Sequence, residues 1–355
     1  MPTFPRLMWP GRASRWDVEA AARAMPHYFS VLRGEEEPNF FLARNVAVSF
    51  RGDEPLDELW GLHEEGMERL RENDLAEKPE KSLLDLKATI ADRILESCTL
   101  CEVKCGVNRR ESIGYCRVKE SLVASDFLHY GEEPELVPSY TVFFSGCNFR
   151  CVFCQNWDIS QYRVGVEHVP EFMALKIDEA FKRGARNVNF VGGEPTPNLP
   201  FILETLRHVK APIPVVWNSN MYMSEEAMRL LDGIVDVYLG DFKWGNDGCA
   251  RRYSKIPRYW EVVTRNFLLA REHFRADFLI RHLVLPEHLE CCTRPVLEWT
   301  AENLGRDVRV NVMFQYRPEY RAGKYPEIDR GLNREEMGEA VRIVEELGFR
   351  YALVG

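Results

Sequence analysis

The sequence has no apolar run approaching the roughly 18 residues of a membrane span, so no transmembrane helix is expected. It has no basic surplus either. Lys and Arg number 46 against 55 Asp and Glu, and the net charge of −9 makes nucleic acid an unexpected partner. Met1 to Arg15 carry three prolines and three arginines but no apolar h-region, so no secretory signal is expected. The ten cysteines are clustered rather than scattered, which argues against a disulfide scaffold and for metal binding in a reducing, cytoplasmic setting. What remains is an ordinary globular composition, 45% hydrophobic, in 355 residues: enough for one large domain and a smaller one.

The most informative stretch runs from Ser145 to Asn156. Cys147, Cys151 and Cys154 lie there in C-x3-C-x2-C spacing, with no fourth cysteine in the loop. Iron–sulfur cubanes normally take four cysteines. Three protein ligands leave one metal position open, as catalytic metal sites do. A buried or zinc-binding cysteine cluster is the competing reading, although zinc favours a closed tetrahedron.

A second group, Cys98, Cys101, Cys105 and Cys116, is spaced C-x2-C-x3-C-x10-C and completes a site unaided. Gly106 and Gly114 permit the turns that return Cys116 to the others. Zinc, a second iron–sulfur cluster, and reduced or redox-exchanging thiols are all chemically sensible here. Cys249, Cys291 and Cys292 are expected to be structural, since adjacent cysteines do not readily share one metal; Cys249 is also a candidate for proximity to substrate.

Residues 1–97 are expected to be mainly helical. Trp16–Met25, with Ser14 as a cap, Leu56–Arg71 and Leu83–Leu95 carry helical patterns, and packing or a cover over an active-site mouth would explain them. Residues 98–137 form the four-cysteine segment and an acidic linker from Glu132 to Pro138. From 138 to 355 short strands alternate with helices. The expected strands are Tyr140–Ser145, Val188–Val191, Ile213–Trp217, Val235–Leu239, Phe278–Val284 and Val308–Phe314. Such alternation means a parallel sheet with right-handed crossovers. The fold class expected is α/β: a partial (β/α)6 TIM-like barrel whose site lies at the carboxyl ends of the strands, where the Cys147 loop falls.

The cysteine loop resembles that of the radical S-adenosylmethionine (SAM) enzymes. The resemblance implies a [4Fe-4S] cluster whose open iron chelates the amino and carboxylate groups of SAM, with Phe153 against the adenine. It also implies that Gly192, Gly193 and Glu194, after the second strand, match the family's GGE motif, which holds the SAM amino group. Asn220, after the third strand, is a candidate for ribose. Asp241 and Lys243, after the fourth, share a strand face, and a lysine suits the SAM carboxylate. His282 is a candidate for ribose or carboxylate, with a satisfied core histidine as the alternative. Gln315 and Tyr316 could face substrate.

Asp241-Phe242-Lys243 and the Arg281-His282 stretch resemble the pyruvate formate-lyase activating enzyme branch. Cys98 to Cys116, Val312 to Tyr316 and Arg330 resemble an activase-like iron–sulfur subgroup. The cysteine-rich insert of many glycyl-radical activases does not follow Cys154. The activity implied is radical SAM oxidoreduction: reductive SAM cleavage and hydrogen abstraction from a protein, peptide or small-molecule substrate. An external electron donor such as flavodoxin or ferredoxin is expected. The competing function is a non-enzymatic iron–sulfur electron carrier or cluster scaffold, which would need no SAM pocket.

Overall fold

Buried, β-branched runs connected by helices pair in parallel, because a hairpin cannot return a parallel strand. The computed structural model describes residues 15–355, so the expected cap at Ser14 lies outside the described residues. Its strands are β1 (Leu122–His129), β2 (Ser139–Phe144), β3 (Val166–Glu167), β4 (Asn187–Gly192), β5 (Val215–Ser219), β6 (Val237–Asp241), β7 (Asp277–Leu283), β8 (Arg309–Met313) and β9 (Ala352–Val354). They form one nine-stranded sheet in the order β3-β1-β2-β4-β5-β6-β7-β8-β9. From β2 through β9 every neighbouring pair is parallel, whereas β1 is antiparallel to both β2 and β3. The sheet is open, a partial TIM-like barrel.

All of the expected strands are present, with shifted ends. β1, β3 and β9 were not foreseen. β3 and β9 are too short to show a period, and β1 is half exposed, which weakens its alternation. The helix Pro170–Lys182 between β3 and β4 was also missed, although it opens on Pro170 in its first turn, a common start.

Pro26 ends α1 (Arg15–Ala24) and opens α2 (Pro26–Leu32) in its first turn, where a missing N–H costs nothing. α3 (Asn39–Asn45), α4 (Leu56–Arg71) and α5 (Leu83–Ile94) follow. Ser82 and Asp85 form a capping box that starts α5. The N–H of Tyr28 donates to Asp277 Oδ2 at 2.8 Å, and His27 Nε2 lies 2.8 Å from Asp236 Oδ1. Met25, Tyr28 and Phe29 pack with Val216, Val237, Leu239 and Leu279. α2 therefore closes the sheet where β6 and β7 begin, the end opposite the cysteine loop. Packing, not a cover over the mouth, describes this helix.

The acidic stretch expected to be a linker crosses the same inner face. Glu133 Oε1 accepts from Arg281 Nε and Asn311 Nδ2, both at 2.7 Å, and Glu135 accepts from Arg309 Nε at 2.6 Å. Arg281 also pairs with Glu132. Arginines on sheet positions are tolerated there because each meets a carboxylate.

Candidate metal and cofactor site

β2 carries the chain directly into the Cys147 loop, and Gly146 makes the turn at φ +89°. A Cβ there would lie 2.5 Å from Val118 Cγ2 and 2.7 Å from the Cys116 carbonyl oxygen, so only glycine fits. The Cys147 N–H donates to that same Cys116 oxygen at 3.0 Å, which seats the cysteine loop on the end of the four-cysteine segment. The N–H groups of Arg150 and Val152 donate to the carbonyls of Ser254 and Tyr253 at 3.0 and 2.8 Å. Cys151 Sγ lies 3.1 Å from Ser254 Oγ, and Cys154 Sγ lies 3.1 Å from Ser160 Oγ.

Burial governs the thiols. It pushes Cys151 up to about 11 and Cys154 upward. Cys147 stands well above its ordinary value through burial and the Glu194 carboxylate beside it. Thiolates can persist in such a place only with positive charge among them, and iron bound to the thiolates would supply it. The donor set thus fits a metal cluster.

Gly192 and Gly193 approach the protein's own backbone closely. A Cβ on Gly192 would lie 2.1 Å from Phe144 N, and one on Gly193 2.0 Å from Gly146 O. The pair locks the loop after β4 against the cysteine loop. Glu194 follows, almost wholly buried. Its Oε1 accepts from Thr196 Oγ1 and Ser219 Oγ, each at 2.6 Å, and its Oε2 from the Asn220 N–H at 3.0 Å. Burial raises its pKa against these bonds. No salt bridge reaches it among the described residues, so it is a fixed carboxylate whose donors are all neutral.

Asn220 Nδ2 donates to Asn148 Oδ1 at 2.7 Å, and its Oδ1 accepts the Tyr222 N–H at 3.0 Å. Both ends of the amide are engaged, one of them on the cysteine loop. Lys243 Nζ donates to Asp241 Oδ2 at 2.6 Å. Burial opposes the ammonium charge, but Asp241, Cys151 and Cys154 hold its pKa above the ordinary value. Phe153 stands edge-on to Trp244 and Tyr316, with ring centroids 5.7 and 5.8 Å away. Gln155 Nε2 donates to the Gln315 carbonyl at 3.4 Å, so the loop after β8 joins the same rim.

His282 is a correction. Its Nδ1 lies 2.8 Å from the Phe242 carbonyl oxygen and its Nε2 2.9 Å from Thr293 Oγ1. Burial lowers its pKa to about 4, so the ring is neutral. Asp241 pairs with Arg281, and those two share the inner face; His282, one residue on, faces the helices. It is a satisfied core histidine. Strand alternation alone would have separated it from Arg281. Nothing in the sequence pointed to Thr196 and Ser219 around Glu194, or to Ser160 and Ser254 beside the thiols.

Among the described residues no helix is long and apolar enough to cross a membrane. Fold and site together define an α/β enzyme class: an open parallel barrel that presents a three-cysteine loop at the carboxyl ends of its strands. The Radical SAM superfamily profile matches residues 141–300. The uncharacterized protein MJ0674 of Methanocaldococcus jannaschii is 47% identical over 332 residues, 90% of this chain and 96% of that protein. The pyruvate formate-lyase-activating enzyme of Clostridium pasteurianum is 28% identical over 149 residues, 41% of this chain and 61% of that enzyme. Streptococcus suis SuiB bound to precursor peptide SuiA overlaps at a TM-score of 0.41 and 14% identity, over 56% of this chain and 43% of that one. The chain belongs to the radical SAM superfamily, whose members carry a [4Fe-4S] cluster and cleave SAM.

Proposed function

We propose that this protein is a radical SAM oxidoreductase in which Cys147, Cys151 and Cys154 each ligate one iron of a [4Fe-4S] cluster. The observation that carries the reading is the buried Glu194 carboxylate beside Cys147, held by four neutral donors and paired with no cation among the described residues. A ligand that brings an ammonium group suits it, and the amino group of SAM is such a group. Lys243, oriented by Asp241, has further N–H donors for the SAM carboxylate. Phe153, with Trp244 and Tyr316, offers an aromatic wall to the adenine. Gly192 and Gly193 hold Glu194 in place, and Asn220 holds Asn148 and the loop. When bound, the cluster supplies the electron for reductive cleavage of the sulfonium and, through the deoxyadenosyl fragment, hydrogen abstraction from substrate. The protein's part is to orient SAM and keep water and quenchers out.

The substrate class we favour is a protein or peptide, with a glycyl-radical type target among them, on the strength of the partial similarity to a pyruvate formate-lyase-activating enzyme. A flavodoxin or ferredoxin would deliver the electron, in a reducing cytoplasm. We assign Cys98, Cys101, Cys105 and Cys116 to a second metal centre. Cys101 and Cys116 are buried, and burial raises both thiols. Zinc and an iron–sulfur cluster both suit four thiolates, and three cysteines within eight residues favour the cluster.

Anaerobic reconstitution with SAM and dithionite tests the reading. The parent should release 5′-deoxyadenosine and Cys151→Ala should not. SAM left intact by the reduced, iron-loaded parent would favour a non-enzymatic electron carrier instead. In the same preparations Cys105→Ser should lose about four irons per chain if that group holds a cluster; loss of zinc alone would end that assignment.

A further inference from the structure

Cys249, Cys291 and Cys292 lie outside the machinery described so far. Their sulfurs all fall within 4.8 Å of one another, the one such group of metal-ligand atoms among the described residues. Cys249 Sγ is 4.0 Å from Cys291 Sγ, and Cys291 Sγ is 3.8 Å from Cys292 Sγ. Thiolates that share one zinc at about 2.3 Å stand about 3.8 Å apart in a tetrahedron. The group already has the spacing of ligands to a single ion.

Two loops build it. Cys249 ends a short helical turn after β6 and runs into a π-helical turn, Ala250–Ser254. Cys291 and Cys292 sit inside a second π-helical turn, Leu289–Thr293, after β7. Such turns recur at functional sites. The widened turn answers the expectation that adjacent cysteines cannot share a metal: here both sulfurs face Cys249. Gly245 lets the two loops touch, since a Cβ there would lie 2.6 Å from the Cys291 carbonyl oxygen and 2.8 Å from Cys292 Cα. Asn246 Nδ2 donates to that carbonyl at 2.8 Å and lies 3.4 Å from Cys249 Sγ. His288 is buried beside Trp244 and Tyr253, with ring centroids 6.2 and 5.0 Å away. Its Nδ1 lies 2.6 Å from the Pro286 carbonyl oxygen, which places the proton on Nδ1 and leaves the Nε2 lone pair available.

We propose that Cys249, Cys291 and Cys292 bind one thiophilic divalent cation of the zinc class. Binding releases the thiol protons and involves no redox step. The ion staples the loop after β6 to the loop after β7. Its reach into the cluster site is through Trp244. That ring is 6.2 Å from His288, and its Nε1 donates at 2.8 Å to Ser254 Oγ, the group beside Cys151 Sγ. The inference stands apart from the SAM reading, because neither its residues nor its readout involve SAM.

The test uses full-length protein, purified without oxygen and with its iron–sulfur sites reconstituted. Titration with Co2+ should give a thiolate-to-metal charge-transfer band that saturates at about one added equivalent. Cys249→Ser and Cys291→Ser should lose the band and keep their iron content and circular dichroism. A second measurement needs no variant. Cys291 is solvent-exposed, and Zn2+ should slow its alkylation by iodoacetamide at least about 10-fold, with a chelator restoring the rate. Absence of the band in the parent, its persistence in both serine variants, alkylation indifferent to Zn2+, or a disulfide among these three residues in anaerobic protein would each overturn the proposal.

Discussion

The backbone N–H of Cys147 donates to the carbonyl oxygen of Cys116 at 3.0 Å, so the first cysteine of the loop and the last of the four-cysteine group are tied back to back. Gly146 makes that contact possible, and Gly146→Ala should break it. The new methyl would meet Val118 and Cys116 at 2.5 and 2.7 Å in a left-handed backbone. We expect iron bound after reconstitution to fall by at least half, as measured by iron analysis and the cluster's visible absorption, with the secondary structure intact by circular dichroism. Full iron loading would show that the loop has slack the geometry denies.

Glu194→Gln replaces a carboxylate with an amide whose NH2 must face neutral donors: the Ser219 and Thr196 hydroxyls or the Asn220 N–H. It also removes the negative charge proposed for the SAM amino group. Loss of a hydrogen bond to a charged group costs about 1.5–3 kcal/mol, so SAM affinity by calorimetry should fall roughly 10- to 150-fold. Unchanged affinity would take Glu194 out of the cofactor site.

His282→Ala separates a core histidine from a cofactor contact. It leaves the Phe242 carbonyl and the Thr293 hydroxyl without their partner, at a cost of about 1–3 kcal/mol in urea unfolding. SAM affinity at a temperature where the variant is folded should stay within about twofold of the parent, a difference under 0.5 kcal/mol. A large loss of SAM binding without loss of stability would restore the ligand role.

Lys87 on α5 is fully buried, its Nζ 2.7 Å from His63 Nε2 and 3.0 Å from the Arg229 carbonyl oxygen. Burial depresses its pKa to about 7. Between that value and the ordinary lysine value the unfolded chain holds a proton that the folded chain does not. This group therefore makes stability rise with pH above about 7, by at most about 1.4 kcal/mol per pH unit. Below pH 7 both states are protonated and the slope vanishes. Urea midpoints measured from pH 7 to 9 should climb in the parent and climb less in Lys87→Met. Parallel curves would mean that the ammonium keeps its ordinary pKa.

Much of this architecture is local in origin and could be read before any coordinates. The Cys147, Cys151, Cys154 spacing, the alternation of apolar strands with helices, and the glycines before Glu194 are all short-range patterns, and each stands where the chain order puts it. His282 was misjudged although the information was present, because its one-residue offset from Arg281 decides the face it occupies. The acidic stretch Glu132–Glu135 read as a linker because charge in a sequence looks solvated until its partners, Arg281 and Arg309, are known.

The sequence by itself determined the strand–helix succession and the three-thiol loop, since both depend on periods and spacings of a few residues. Only the tertiary structure decided that α2 closes the far end of the sheet, that Ser254 stands at Cys151, and that Cys249 meets Cys291 and Cys292. Those meetings join residues 42 to 249 positions apart, and the pairing of strands in a folded sheet, not any local preference of the chain, brings them together.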